Sequence, residues 1–351
     1  MSDMLTRLGW TPERELEFEP RGARGLVPGR VAVEHRSAYV VYTAAGELRA
    51  ELAGRLRHEE IWPAVGDWVA VRPPATIAAV LARRTVFSRN DPSLAAHEQV
   101  LAANADTVVV AMALTPVDFK PRRLERYLAT AWESGATPVI ALTKPDLCAD
   151  VPGAVSEVDA VAFGVPVHVV NGLTGDGVDT LLPYLAGNRT LAILGSSGVG
   201  KSTIVNHLAG GTLMATGEIR EDGRGRHTTR HRELILLPGG GLVLDTPGLR
   251  ELQLWDVDDG LEQTFADVAA LAAQCRFGNC AHRSEPGCAV REALRSGMLS
   301  RERFASWQKL QRELARLERR LDARARSEHG HELRKEARRR RRAQRPPRRR
   351  A

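Results

Sequence analysis

The sequence has no apolar run approaching the roughly 18 residues that a membrane-spanning helix needs. A helical membrane protein is therefore not expected, and neither is a membrane partner. The opening stretch, MSDMLTRLGWTPERELEFEP, lacks an apolar core and carries several acids, so it does not read as a secretory leader. Cysteine is scarce, with 4 in 351 residues. A disulfide framework is not expected in such a chain, and a cytoplasmic location is. Internal repeats are also lacking.

What cysteine there is lies in a pattern. Cys275, Cys280 and Cys288 fall close together with His282 between them, as C-x4-C-x-H-x5-C in CRFGNCAHRSEPGC. Three thiolates and one imidazole fill a tetrahedral shell with no position left for water, the composition of one structural Zn²⁺ site. Cys148 stands alone and reads as a small packed residue.

Charge is unevenly spread. The chain carries +7, but from His331 onward eleven Lys or Arg face two Glu, a net of +9, which leaves −2 for residues 1–330. The tail KEARRRRRAQRPPRRRA has no apolar periodicity and is expected to be disordered when free. It reads either as a nucleic-acid-binding arm or as a solubilising end.

The length suggests two or three domains. Residues 1–30 form an extension with no clear element. Over 31–88, five short Val-, Tyr- and Trp-rich stretches separated by turn residues predict a small antiparallel barrel of the OB type. Ser88 to Leu101 reads as a polar linker that becomes helical. An α/β rhythm follows over 89–252. DTVVVAMAL, TPVIALTK, PVHVVNG and TLAILG are buried-strand runs, and ELILL and LVLD flank PGGG as a hairpin. Six strands with helices between them predict a doubly wound sheet. Residues 253–328 read as a helical metal-bearing domain. It ends in a long helix over 301–326 with a stripe of Phe304, Trp307, Leu310, Leu314 and Leu317. The basic tail occupies 329–351.

Inside the α/β segment lies GSSGVGKST, Gly195, Ser196, Ser197, Gly198, Val199, Gly200, Lys201, Ser202 and Thr203, after a strand and before a helix. This is a phosphate-binding loop. Its glycines let backbone N–H groups curl around a β-phosphate, Lys201 neutralises β and γ oxygens, and the Ser202 hydroxyl ligates Mg²⁺. About fifty residues on, DTPG ends a strand, with Asp245 placed to hold Mg²⁺ through water and the Gly248 N–H to sense a γ-phosphate. Between them GRGRHTTRH offers Thr228 or Thr229 to the same Mg²⁺ shell, or is a flexible surface loop. TKPD, Thr143, Lys144, Pro145 and Asp146, is the base-reading candidate. The Asp146 carboxylate accepts from guanine N1–H and N2–H₂, donors that adenine cannot offer in that arrangement.

The order is unusual, because the base motif precedes the phosphate loop. A parallel sheet tolerates this when a GTPase is cut after DTPG and rejoined, since strand carboxyl ends still face one crevice. With this order, GRGRHTT, DTPGLRE and the cysteine cluster, the sequence resembles the circularly permuted ribosome-small-subunit-dependent GTPases, the small ribosomal subunit biogenesis GTPase family. RRTVFSR, EQVLAANADTVVV and RRLERYLATAWESGA share the resemblance, which runs from about Val31 to Leu317. It implies an OB-type barrel, a permuted GTPase domain and a zinc domain. It also implies subunit-stimulated GTP hydrolysis in late maturation of the small subunit, and contacts to ribosomal RNA. The chain is expected to act as a monomer.

Two departures stand out in the base-reading motifs. Thr143 replaces an Asn common in base motifs and lacks the amide that braces the loop, which predicts a modest grip on guanine. Asn171-Gly172 replace Ser-Ala in a second base-contact motif, where only the Gly172 N–H is expected to serve. Leu249 stands where many GTPases carry a water-orienting Gln, so intrinsic hydrolysis is expected to be slow, with His227 the polar candidate within the chain. Two other functions stay open on these residues: a P-loop ATPase or kinase, and a non-catalytic nucleotide-sensing RNA scaffold.

Overall fold

The structure, a computed structural model, describes residues 3–35, 38–90, 98–211, 232–245, 258–316 and 319. His227, Thr228, Thr229, Gly248, Leu249 and the basic tail lie outside them.

The chain opens with two helices, α1 (Asp3–Arg7) and α2 (Pro12–Gly22), where no clear element was expected. The local signal is Thr11-Pro12. The Thr11 hydroxyl accepts from the Arg14 N–H and Pro12 presets the first turn. Leu8, Trp10 and Phe18 from this segment are buried, and Trp10 packs edge-on against Trp68 of the barrel.

Five strands form that barrel: β1 (Val27–Glu34), β2 (Tyr39–Thr43), β3 (Gly46–Leu52), β4 (Trp68–Arg72) and β5 (Thr76–Val80). A short helix α3 (Gly54–His58) lies between β3 and β4. The order β1-β2-β3-β5-β4 closes by pairing β4 back onto β1, and β3 runs parallel to β5. This is the expected OB-type barrel. Val31, Val41, Val69, Val71 and Ile77 fill its interior.

The last of the five expected stretches, ATIAAVLARRTVF from Ala75 to Phe87, breaks after β5. Its end becomes β6 (Val86–Asn90), paired antiparallel with β7 (Glu98–Ala103). The expected linker helix before Leu101 is thus a strand. Leu101, Ala102 and Ala103 are all buried against neighbours, and that tertiary cover decides the conformation.

The main sheet follows. Its strands are β8 (Thr107–Ala113), β9 (Thr137–Thr143), β10 (Val167–Val170), β11 (Thr190–Leu194), β12 (Glu233–Leu236) and β13 (Leu242–Asp245). Their order is β10-β9-β8-β11-β13-β12, all parallel except β12, which forms the expected hairpin with β13. Helices α4 (Pro121–Glu133) and α5 (Val151–Asp159) cover one face, and α6 (Lys201–Leu208) covers the other. The chain order turns back between β8 and β11, so the crevice at their carboxyl ends is a topological switch point.

Barrel and sheet are continuous through Val33 opposite Glu233. Arg30 fastens the junction. It is 2 % exposed and donates to the carbonyls of Leu8, Gly66 and Asn104 and to the Thr190 hydroxyl. Burial pulls its pKa down to about 10, with Asp106 opposing the shift.

The remaining helices are α7 (Asp258–Thr264), α8 (Ala266–Ala272), α9 (Ala289–Ser296) and α10, described over 301–316. Leu310 and Leu314 of the expected stripe are buried and Phe304 and Trp307 pack beside them, while Leu317 is outside the described residues. This layer seats on α4. A Cβ on Gly260 would stand 2.1 Å from the Ala129 carbonyl, so only glycine lets α7 approach so closely.

Candidate functional site

The phosphate loop leaves β11 at Gly195 and enters α6 at Lys201. Gly195, Gly198 and Gly200 have φ of 148°, 74° and 100°, a backbone that side chains with a Cβ rarely adopt. A Cβ on Gly195 would also meet the Ala111 carbonyl at 2.5 Å. The loop is therefore curled as an anion cradle, with the N-terminus of α6 behind it. Lys201 Nζ donates to the carbonyls of Gly195 and Ser196 at 2.8 and 2.7 Å. The ammonium is held at the mouth of the loop it is expected to serve. Arg123, in the first turn of α4, donates to the Ser196 hydroxyl at 3.2 Å.

TKPD sits at the end of β9, two strands along from β11. The Thr143 hydroxyl donates to the Val199 carbonyl at 2.7 Å. Thr143 is 2 % exposed, so this bond is dry. Thr143 does lack an amide, as the sequence indicated, yet it braces the base strand against the phosphate loop with its hydroxyl. Lys144 has φ 56° and ψ 50°. That left-handed backbone is uncommon for lysine. Pro145 then opens a single 3₁₀ turn, Pro145–Leu147, that carries Asp146.

Asn171, which the sequence reading set aside, follows β10 and donates from Nδ2 to Asp146 Oδ1 at 3.3 Å. Its own Oδ1 accepts from the N–H groups of Leu173 and Thr174 at 2.9 and 3.3 Å. Asn171 thus ties the loop after β10 to the turn that carries Asp146. The signal for it was weak: one Asn in a Gly- and Thr-rich turn. Gly172 lies against Thr203, and its carbonyl pairs with His207 Nε2 at 2.8 Å. Gly172 is therefore within reach of the phosphate-loop helix.

Asp245 ends β13, next to β11 in the sheet. The ends of β9, β10, β11 and β13 thus bring TKPD, Asn171, the phosphate loop and Asp245 to one edge. The oxygen set that could hold Mg²⁺ with a nucleotide includes the Ser202 hydroxyl and the Asp245 carboxylate, hard donors of the type that cation takes.

The cysteine cluster is assembled as the sequence implied. The ligand atoms of Cys275, Cys280, His282 and Cys288 all lie within 4.8 Å of one another. Cys275 and Cys288 sulfurs are 3.8 Å apart, and His282 Nδ1 stands 3.6 and 3.4 Å from them. A tetrahedral ion with bonds of about 2.3 Å to sulfur and about 2.0 Å to nitrogen would set separations near 3.8 and 3.5 Å. The donors fit a metal. Burial lowers the His282 pKa, which favours the neutral ring a metal needs. The Cys288 sulfur also accepts from the Arg291 N–H at 3.4 Å and so caps α9. Glu285 ties the loop down. Its carboxylate accepts from the N–H groups of Ala281, Arg283 and Ser284, and backbone hydrogen bonds hold its pKa down at about 2.

A phosphate loop entered late in the chain, with its base-reading strand placed before it on the same sheet edge, defines a circularly permuted P-loop GTPase. The family model described as RsgA GTPase matches residues 80–255. A small ribosomal subunit biogenesis GTPase RsgA of Opitutus terrae is 49% identical over 337 residues, spanning 91% of this chain and 92% of the relative. The protein of that name from Streptomyces coelicolor is 46% identical over 332 residues, spanning 92% and 90%. The crystal structure of YjeQ from Thermotoga maritima superposes with a TM-score of 0.64 at 26% identity, covering 83% of this chain and 99% of that one. The structure of YloQ, described as a circularly permuted GTPase, shares the fold with a TM-score of 0.60 at 24% identity, over 83% and 95% of the two chains. The chain belongs to the RsgA GTPase family.

Proposed function

We propose that this GTPase acts on the small ribosomal subunit, in its late maturation, and hydrolyses GTP to GDP and phosphate with turnover that the subunit stimulates. The supporting observation is one edge of the sheet, where base-reading loops, phosphate loop and Asp245 meet. The names of the relatives support the subunit as partner.

In this reading Asp146 selects guanine, with Asn171 orienting its carboxylate and the stem of Lys144 lying along the base. Pro145 sets the turn that presents Asp146. Gly195, Ser196, Ser197, Gly198, Val199, Gly200 and Thr203 wrap the phosphates through their backbone, and Lys201 leaves its carbonyls for β and γ oxygens. Ser202, Asp245 and Thr228 or Thr229 hold Mg²⁺, which neutralises phosphate charge when bound. The Gly248 N–H senses the γ-phosphate, and His227 orients water. Cys275, Cys280, His282 and Cys288 hold Zn²⁺, a structural ion with all four positions filled by protein. The chain divides into a barrel (31–88), a GTPase core (89–252), metal-bearing helices (253–328) and a basic tail (329–351), with barrel and metal-bearing helices packed on the core. The protein works in the cytoplasm as a monomer, with ribosomal RNA reached by the modules flanking the GTPase core.

The test is GTP turnover by the purified chain, alone and with small subunits. Slow turnover alone and a rise of tenfold or more with subunits is the expected result. Binding without a rise in phosphate release would turn the protein into a nucleotide-sensing scaffold. A preference for ATP in competition would overturn the nucleotide assignment.

A further inference from the structure

Helix α6 touches the second base loop as well as carrying the phosphate loop. In its last turn Ile204, Val205 and Leu208 join the core, while His207 is exposed. The His207 imidazole is nonetheless held at two points by the loop that follows β10. Its Nε2 stands 2.8 Å from the Gly172 carbonyl. A carbonyl can only accept, so that nitrogen carries the proton and donates. The ring also lies against Gly175, where an added Cβ would stand 3.0 Å from the His207 Cε1 and Nδ1 atoms. The loop is folded tightly on Asn171, whose N–H donates to the Asp176 carbonyl and whose carbonyl accepts from the Gly175 N–H. Gly172 is fixed by its carbonyl, and among the described residues its N–H has no acceptor.

We propose that His207 is a positioning residue for the guanine site: by holding the Gly172 carbonyl to α6 it keeps the Gly172 N–H where guanine O6 arrives. The inference rests on the reading of Asp146 as the guanine acceptor, and it adds what steadies the neighbouring contact to O6. Three ties then link the base loops to the phosphate side. Thr143 moors the Asp146 turn to the phosphate loop, His207 moors the second loop to α6, and Asn171 joins the two loops. The first tie is buried and the other two are exposed. The Asn171–Asp146 bond, at 3.3 Å, is long for its kind. Without the His207 donor the second loop keeps that bond and the contact of Gly172 with Thr203. Glycines at 172, 175 and 177 give this loop wide backbone freedom, so a lost mooring spreads Gly172 over many positions. The same N–H discriminates between bases. Adenine carries an amino group in place of O6, and donor would then face donor. Lys201 and Ser202 lie in the first turn of α6 and His207 in the last, so one helix sets the spacing between phosphate and base contacts.

The test compares wild type, His207→Phe and His207→Gln in competition binding of GDP, 6-thioguanosine diphosphate and ADP, with urea unfolding of the same proteins. Phe keeps a ring over Gly175 and removes the donor, whereas Gln returns an N–H at a similar reach. Sulfur in place of O6 accepts hydrogen bonds poorly, so wild type should prefer GDP to the thio analogue. His207→Phe is expected to bind GDP about three- to tenfold more weakly, the worth of one hydrogen bond, and to bind the thio analogue about as wild type does. Its preference for O6 then falls by the same factor. His207→Gln should stay within about twofold of wild type for both nucleotides. All three proteins should share one unfolding midpoint, because the side chain is exposed. A Phe variant that keeps the wild-type preference, or that loses both nucleotides equally, overturns the proposal. So does a Gln variant as weak as the Phe variant. Wild type that rejects ADP but does not distinguish GDP from the thio analogue overturns the role of His207 and leaves the Asp146 reading standing. Wild type that takes ADP as readily as GDP sinks the guanine reading itself, and the role of His207 with it.

Discussion

Replacing Thr143 by Val tests whether a hydroxyl, rather than an amide, holds the guanine site together. Val preserves volume and branching, so the strand and its packing should survive. What is lost is the 2.7 Å bond to the Val199 carbonyl, formed where Thr143 is 2 % exposed. The orphaned carbonyl sits in a dry place and costs about 1–3 kcal/mol. If the bond is equally strong in the free and bound protein, the cost falls on stability. If nucleotide tightens the loop, part of it falls on affinity, up to a factor of roughly 5–150 by the same energy. We expect an intermediate split, with GDP bound about tenfold more weakly and the chain destabilised by about 1 kcal/mol. Fluorescent-GDP titration and urea unfolding with the same protein measure both. Thr143→Ser keeps the hydroxyl and should stay within about twofold of wild type, as should Thr143→Asn, which restores a donor. A Val variant with wild-type GDP affinity and wild-type unfolding midpoint would refute the bracing role.

Asp146→Asn exchanges the carboxylate proposed to accept two guanine donors for an amide that can donate to a base carbonyl. The variant is expected to lose GTP by 100-fold or more, about 3 kcal/mol for a charge-assisted pair, and to gain preference for xanthosine triphosphate in a competition assay. Chelator treatment of the purified chain is expected to release one metal ion per chain and to lower the unfolding temperature. Helices α8, α9 and α10 should lose hydrogen-exchange protection first, because Cys288 joins the site to the cap of α9 and to the core around Val290 and Leu310.

The motifs were legible because each is local. A phosphate loop needs glycines and a lysine at fixed spacing, and a metal shell needs four ligands within one short loop. Both came together where the spacing placed them. The OB-type closure was legible as five short strands, although only the structure shows β4 returning to β1. Residues that work over long separations were hidden. Thr143 meets a carbonyl 56 positions away, and Asn171 meets Asp146 25 positions away. Nothing in either local pattern announces such a partner. β7 was misread as helical because EQVLAA has good helix formers, and only burial of Leu101 to Ala103 against neighbouring elements reverses that preference. The N-terminal helices were missed for a different reason. Thr11-Pro12 is a proper helix start, but the surrounding charges masked the few apolar residues, Leu8, Trp10 and Phe18, that pin the segment down.

In chain order DTPG runs into the metal-bearing helices through residues 249–260, most of which lie outside the described residues. The described residues offer another route, helix α4. Its first turn touches the phosphate loop through Arg123 and Ser196. Two residues later Glu125, 1 % exposed, accepts from Arg303 at 2.9 Å and from the Ser306 hydroxyl, both from α10. All five Arg303 N–H groups are used, on Glu125, Asp267 twice, and the carbonyls of Val161 and Thr264. A half-exposed pair, Arg126 with Glu313, lies alongside. Breaking the two pairs should have unequal effects. Glu125→Gln leaves a buried guanidinium short of one charge and should cost about 3 kcal/mol or more, whereas Arg126→Ala removes a pair worth at most about 1 kcal/mol. Urea unfolding measures both, and equal costs would refute this account of the interface. Arg123→Ala touches neither pair, so it should leave stability unchanged. If α4 transmits, Arg123→Ala should still lower subunit-stimulated turnover severalfold while sparing turnover without subunits. Ser196→Ala should do the same, and the double variant should be no worse than either single one, because one bond is broken in all three. Additive losses, or an equal fall in both turnovers, would assign Arg123 to loop maintenance alone and leave residues 249–260 as the path.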